Sequence, residues 1–171
     1  MIDPEKGSAK LIQYLTEAHG KEKELEVSLE AHISLASRPV YKKRLREHLK
    51  ETKQHAKLVE RRLKKLGGGG LTKTATDLAS RGVAAAKGPL HAARGTSEQE
   101  KELKNAKTEY SEEHEEIATY TAIEALATQL GDDETAKLAK GIRRDEERMA
   151  TFLGKQIPIL TRAMIKAEAS K

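Results

Sequence analysis

Residues 8–36 read SAKLIQYLTEAHGKEKELEVSLEAHISLA, and the placing of the apolar residues in this stretch decides the fold class. Leu11, Leu15, Ala18, Glu22, Leu25, Leu29 and His32 follow one another at alternating steps of four and three. That alternation keeps side chains on one stripe of an α-helix, the stripe that packs in a helical bundle. Ser8 is placed to cap the helix. Ser37-Arg38-Pro39 ends it, because proline disfavours helical geometry in the residue before it. Glu22 stands squarely within the stripe, where a hydrophobic residue is expected.

The same pattern recurs along the chain. A second helix is expected over about 40–66, with Leu45, Leu49, Thr52, Ala56, Val59, Leu63 and Leu66 on its seam and His48 and His55 flanking it. Gly67 to Gly70 stops it. A third is expected over 97–130 behind a Thr96-Ser97-Glu98 cap, with Leu103, Ala106, Tyr110, Glu113, Ile117, Tyr120, Glu124 and Ala127 inward. Gly131-Asp132-Asp133 is a tight turn into a fourth, over 134–153, and Pro158 ends or kinks that helix. Residues 154–171 then read as a short amphipathic tail. Residues 67–96 are too long for a tight hairpin and suit a crossover along a bundle, with a short helix inside it. No strand signal is present. The expected fold is all-α, one domain over 1–171, a four-helix bundle of two hairpins joined by a long crossover.

Composition agrees. Charged residues make up 35% and aromatics 3%, which favours long solvated helices over sheets. Cysteine is absent, which excludes disulfides and thiolate chemistry. No apolar run is long enough to span a bilayer and the start of the chain carries no signal-peptide core, so a cytoplasmic protein without membrane partner is expected. The net charge of +5 is uneven: Arg61, Arg62, Lys64, Lys65, Lys73, Arg81, Lys87 and Arg94 face a single acid, Asp77, over residues 61–94. Such a block either meets phosphate on an acidic partner or nucleic acid, or is a solvated face.

The carboxylates carry the chemistry. A di-metal bundle site uses about four carboxylates and two imidazoles, hard donors that neutralise two divalent cations. Glu22 lies on the first helix, and Glu51 with His55 on the second at i, i+4. The third gives Glu113 and Glu116, with His114 beside them and Tyr120 a turn on. The fourth gives Asp145, Glu146 and Glu147. Gln54 holds the i+3 place where a histidine would be usual. Met149 and Ala150 stand where the fourth helix would need one, so a second imidazole has to come from His114 or His48. An ionised Glu in an Ala/Leu seam costs several kcal/mol unless it is metal-bound or paired with Arg or His. Either partner satisfies Glu22 and Glu113 on spacing alone.

Three stretches resemble the YciE/YciF-type family of bacterial stress-response proteins, within the ferritin-like superfamily. They are Glu47-His-Leu-Lys-Glu-Thr-Lys-Gln-His55, then Glu113-His-Glu-Glu-Ile-Ala-Thr-Tyr120 with Leu126 and Gln129-Leu-Gly131, and Asp145-Glu-Glu147. The first helix is similar around Glu22-Lys-Glu-Leu25. The resemblance implies a ferritin-like four-helix fold, often dimeric, with a centre of two divalent metal ions, iron or else manganese. It implies Glu22, Glu51, His55, Glu113, Glu116 and Glu146 as ligands, with Tyr120, His114 and Gln54 around them.

Three functions follow as expectations. The first is an iron-binding stress protein, a homodimer, that consumes peroxide or oxygen. The second is a basic bundle meeting nucleic acid, ribosome or another acidic surface through Arg61, Arg62, Lys64, Lys65, Lys73 and Arg81. Against it, almost no aromatics are available for stacking on bases. The third is a metal-free scaffold or cargo protein. Phosphate-loop chemistry is excluded, because Gly67 to Gly70 lacks the Gly-Lys-Ser/Thr ending.

Overall fold

The computed structural model describes residues 3–68 and 97–169. They form four helices: α1 (Pro4–Leu35), α2 (Pro39–Lys65), α3 (Glu98–Gln129) and α4 (Asp133–Ala169). There is no strand among the described residues. The crossover expected over 67–96 lies almost wholly outside them. Each helix packs against two neighbours, giving a ring of α1, α2, α4 and α3.

Contacts across these seams fix the directions. Glu22 meets Tyr120 while His32 meets Glu109, so α1 and α3 are antiparallel. His48 meets Glu146 while Arg62 meets Asp132, so α2 and α4 are antiparallel too. Gly68 and Ser97 therefore lie at opposite ends of the bundle, as in the two-hairpin connectivity of ferritin-like bundles.

The seam read for α1 is buried at every position from Leu11 to His32. On α2, Leu45, Thr52, Ala56, Val59 and Leu63 are buried, with Leu49 and Leu66 at the margin. The reading of α3 needs correction. Tyr110 is exposed and Glu124 half-buried, while Glu102, Asn105, Glu109, Glu116 and Ile123 point inward. Leu103, Ala106, Glu113, Tyr120 and Ala127 are buried as expected, but apolar periodicity misses the rest because Glu102, Glu109 and Glu116 share the inward stripe.

Two helix ends also differ from expectation. Asp3, not Ser8, caps α1, accepting from the Glu5 N–H at 3.0 Å, with Pro4 in the first turn where its missing N–H costs nothing. The expected break at residues 153–158 is absent, and α4 continues to Ala169. Gly154 and Pro158 are both exposed, so the carbonyl that the proline leaves without its helical N–H faces solvent. Leu153 and Leu160, on either side, are anchored in one core cluster.

The turns are tied by two acids, Glu102 buried and Asp132 half-buried. Glu102 accepts from the backbone N–H groups of Ser37 (3.0 Å) and Arg38 (3.1 Å), fastening the α1–α2 turn to α3. Asp132 accepts from the Thr135 N–H (3.0 Å) as α4 begins, and Arg62 reaches both its oxygens at 2.7 Å. Asp132→Ala is expected to cost about 1–2 kcal/mol. Burial pushes the Asp132 carboxyl up, but Arg62 and Thr135 outweigh it and hold it below the usual range. Its contribution is thus present above a pH of about 4 and fades below it. Urea denaturation of both proteins at neutral and acid pH checks this, since the gap between them should shrink in acid.

The core is split. One apolar cluster holds Leu11, Leu15, Val59, Leu63, Ile123 and Ile142; the other holds Leu29, Tyr41, Leu45, Leu103, Met149 and Leu153. On every helix, buried polar residues lie between the two clusters. That layer is the candidate site.

Candidate metal centre

Six ionisable side chains meet in the middle layer: Glu22 from α1, His48 and His55 from α2, Glu113 and Glu116 from α3, and Glu146 from α4. None is more than 3% exposed. His55 follows His48 by seven positions, two helical turns, so both imidazoles face inward from α2. The second imidazole that α4 lacks is supplied from the helix beside it.

The donors form two groups that share one residue. Glu22, His55 and Glu146 make the first, and His48, Glu113 and Glu146 the second, with the donor atoms of each group within 4.8 Å of one another. Glu146 gives one oxygen to each: Oε1 is 2.9 Å from His55 Nδ1 and Oε2 is 3.5 Å from His48 Nε2. Glu113 Oε1 is 3.0 Å from His48 Nε2, and Glu22 Oε1 is 3.7 Å from His55 Nδ1. Glu116 is buried beside both groups.

These atoms are close, yet they do not hydrogen-bond one another. His48 Nε2, His55 Nδ1, both oxygens of Glu146, and one oxygen each of Glu22, Glu113 and Glu116 have no hydrogen-bond partner. Buried polar atoms are nearly always satisfied, and an unmade bond costs about 1–3 kcal/mol each. Donors that crowd together and aim past one another suit a shared ion better than a set of mutual pairs.

The outward nitrogens are held instead. His48 Nδ1 meets Glu51 Oε2 at 3.1 Å, and His55 Nε2 meets Asp145 Oδ2 at 3.0 Å. A proton on each outward nitrogen leaves the inward lone pair free, the carboxylate–histidine arrangement that orients metal-binding imidazoles. Tyr120 donates to Glu22 Oε1 at 2.6 Å, fixing that carboxylate from α3.

The electrostatics are those of excess acid in a dry layer. Burial, with Glu146 beside it, pushes the Glu22 carboxyl up to about 8 against the pull of His55. Glu113 is likewise raised by burial to about 8, against the opposing pull of His48. Burial and then the charges of Glu22, Glu146 and Glu113 drive Glu116 well up. Burial opposes imidazolium, but Glu113, Glu51 and Glu146 outweigh it and carry His48 up to about 10; Glu146, Glu22 and Asp145 carry His55 to about 9. Glu146 goes the other way, lowered because the two histidines overcome its burial.

Of the residues read from sequence as ligands, five lie in this layer, and Glu51 does not. Arg44, with two contacts at 2.9 Å, and His48 hold Glu51 at the edge of the bundle. Burial works against its ionisation, but His48 and Arg44 pull its carboxyl down to about 2. His48 takes its place among the inward donors. The signal was legible as a histidine one turn before Glu51 and two turns before His55. His114 is exposed and turned to the Tyr110 carbonyl at 2.7 Å, and Gln54 is exposed.

The anion-binding reading also changes. Arg62 is occupied by Asp132 and Glu134, Lys65 by Glu134 and Lys64 by Glu60. Arg61 is exposed; Lys73 and Arg81 lie outside the described residues. The α2 end of the basic block is therefore largely neutralised within the fold.

Sequence reasoning missed a second buried cluster. His32 Nδ1 is 2.7 Å from Glu109 Oε1, and Tyr41 donates to Glu109 Oε2 at 2.6 Å, all three about 1% exposed. It joins α1, α2 and α3 at the half of the bundle, here the lower, that holds the cluster of Leu29, Tyr41 and Leu45. Glu109 lies one turn before Glu113, which is the signal that could have found it.

With this geometry in view, likeness to known proteins has a definite meaning. The model of DUF892, a domain of unknown function, matches residues 8–166. The chain belongs to the DUF892 family. Among solved structures it is similar to a protein of Xanthomonas campestris pv. campestris, at 26% identity and a TM-score of 0.76, covering 96% of this chain and 99% of that one. The E. coli stress protein YciF gives 19% identity and a TM-score of 0.71 over 95% and 99% of the two chains. YcfI of Rhodopseudomonas palustris gives 21% and 0.70 over 90% and 94%. No curated protein matches. The YciF-type resemblance and the all-helical bundle are thereby established, and no helix among the described residues is long and apolar enough to cross a membrane.

Proposed function

We propose that this DUF892 member binds two divalent metal ions in its middle layer, iron before manganese, and serves the stress response by consuming peroxide or oxygen there. One observation carries the reading: Glu146 offers one oxygen to each of two buried donor groups, and those oxygens have no other partner. Glu22, Glu113, Glu116 and Glu146 supply four negative charges when ionised, which balance two divalent cations, and His48 and His55 supply one imidazole each. Iron held there would supply redox chemistry toward peroxide or oxygen.

The chain's own residues set the conditions. Glu51 and Asp145 keep the imidazoles aimed inward, Tyr120 holds Glu22, and the apolar clusters above and below exclude water. Binding displaces protons from the raised carboxyls and imidazoles, so affinity should rise with pH through the neutral range. The stress role rests on likeness to a protein described as a stress protein, and the metal on the donor set.

Metal analysis after incubation with ferrous iron or manganese at neutral pH should give about two ions per chain. A chain that retains neither would sink the reading. Glu51→Ala should keep that stoichiometry while weakening affinity about 10–100-fold, because it loosens His48 without removing a donor. Loss of one whole ion in this variant would instead return Glu51 to the ligand set.

A further inference from the structure

We propose that the cleft between α2 and α4 is the passage by which a small uncharged molecule, of the size of dioxygen or hydrogen peroxide, reaches the middle layer, and that Gly141 keeps it open. This rests on the metal reading above and adds the route. The cleft holds about 580 Å³ and has His55 in its lining. The same imidazole turns its Nδ1 to Glu146 and Glu22 inside, so one ring separates the cleft from the buried donors. The α2–α4 seam is the most thinly packed of the four main ones.

The lining says what passes. Leu58, Leu138, Ile142 and the bare backbone of Gly141 make an apolar wall. The charges around it cancel, Lys50 and Lys137 standing against Glu51 and Asp145. Both acids are further engaged, Glu51 by Arg44 and His48, Asp145 by Arg148 and His55. A hydrated cation would find no free carboxylate to trade its water for, and an anion no free excess of positive charge. A small neutral molecule has neither need.

Gly141 sharpens the point. It sits inside α4, where glycine costs about 0.5–1 kcal/mol relative to alanine. No positive φ requires it, and a Cβ there would meet nothing within 4 Å. Neither a turn nor a close approach explains it; what it leaves is empty space in the cleft wall.

Nitric oxide, small and uncharged, serves as the probe. Protein loaded with ferrous iron is mixed with it in stopped flow, and the growth of the iron–nitrosyl absorbance gives the rate of access. Gly141→Leu should slow this at least about tenfold, a barrier of about 1.4 kcal/mol, with iron content unchanged. Gly141→Ala, which adds one methyl to open space, should stay near the wild-type rate, and both variants should be at least as stable as the parent. A Leu variant of normal iron content and unaltered rate overturns the passage. A Leu variant that loses iron overturns it too, since Gly141 would then act on the donors. Failure of the unaltered chain to hold iron is a different result and overturns the metal reading itself.

Discussion

Glu146→Gln is expected to abolish binding of both metal ions at once, whereas removal of Glu22 or Glu113 alone should weaken one half of the centre. The reason is geometric. Glu146 is the one residue present in both donor groups, with an oxygen directed to each, and an amide offers one neutral oxygen where two anionic ones are needed. Titration of the variant with ferrous iron or manganese, followed by calorimetry, checks it; retention of even one tightly held ion would contradict the shared role.

The same substitution should also destabilise the metal-free protein by about 3–5 kcal/mol, because it strips two buried imidazolium groups of their common counter-ion. The pH dependence has a definite sign. His48 and His55 are raised above their ordinary value, to about 10 and about 9, so their contribution is full below about 6.5 and is lost as pH rises through those values. Glu22 and Glu113 are raised to about 8, and a raised carboxyl likewise favours the fold in acid and loses that advantage on alkalinisation. The metal-free bundle should therefore melt at falling temperature as pH rises from about 6 to about 9. Metal binding strengthens over the same range, since fewer protons must be displaced. Melting curves with and without manganese should diverge as pH increases; parallel curves would argue that no ion enters this layer.

Glu109→Ala should have an effect of the same size by a different route. Glu109 receives His32 and the Tyr41 hydroxyl within 2.7 Å, all three are buried, and Tyr41 belongs to the lower apolar cluster. Burial and the carboxylate push the Tyr41 hydroxyl far above its ordinary value, so it remains a donor at any physiological pH. Removing Glu109 strips the Tyr41 hydroxyl of its acceptor and takes a carboxylate from beside His32 in a dry interior, at a cost of about 3–5 kcal/mol. Metal stoichiometry should not change, because Glu109 belongs to neither donor group. Equilibrium unfolding paired with metal analysis separates the two roles. A variant that folds as well as the parent would show that this cluster is not what holds the lower half of the bundle.

Much of this was readable from the chain. The four-and-three spacing from Leu11 to His32 specifies a helix with one buried stripe, since only residues on that stripe escape water together. Glu22 within the stripe marked the site, because a buried carboxylate demands a partner. Glycine, proline and the Ser97 cap placed the breaks between helices. Pro158 misled, because its effect depends on whether the freed carbonyl meets water, and that depends on which face of α4 is exposed.

Tertiary structure decided the rest. Along α3, periodicity drew the inward stripe through Tyr110 and Glu124, while the fold turned Glu109 and Glu116 inward; a glutamate-lined stripe has no apolar contrast to read. The exchange of Glu51 for His48 needed the neighbouring helix, since both residues lie near the inward face of α2 and only the approach of α4, with Glu146, selects the imidazole. The sequence by itself determined a four-helix bundle with acid in its seams, because helix period and desolvation are local properties of the residues. Which acids and imidazoles converge, and that Glu146 stands between two groups of them, was decided by how four helices rotate against one another, a property no single helix carries.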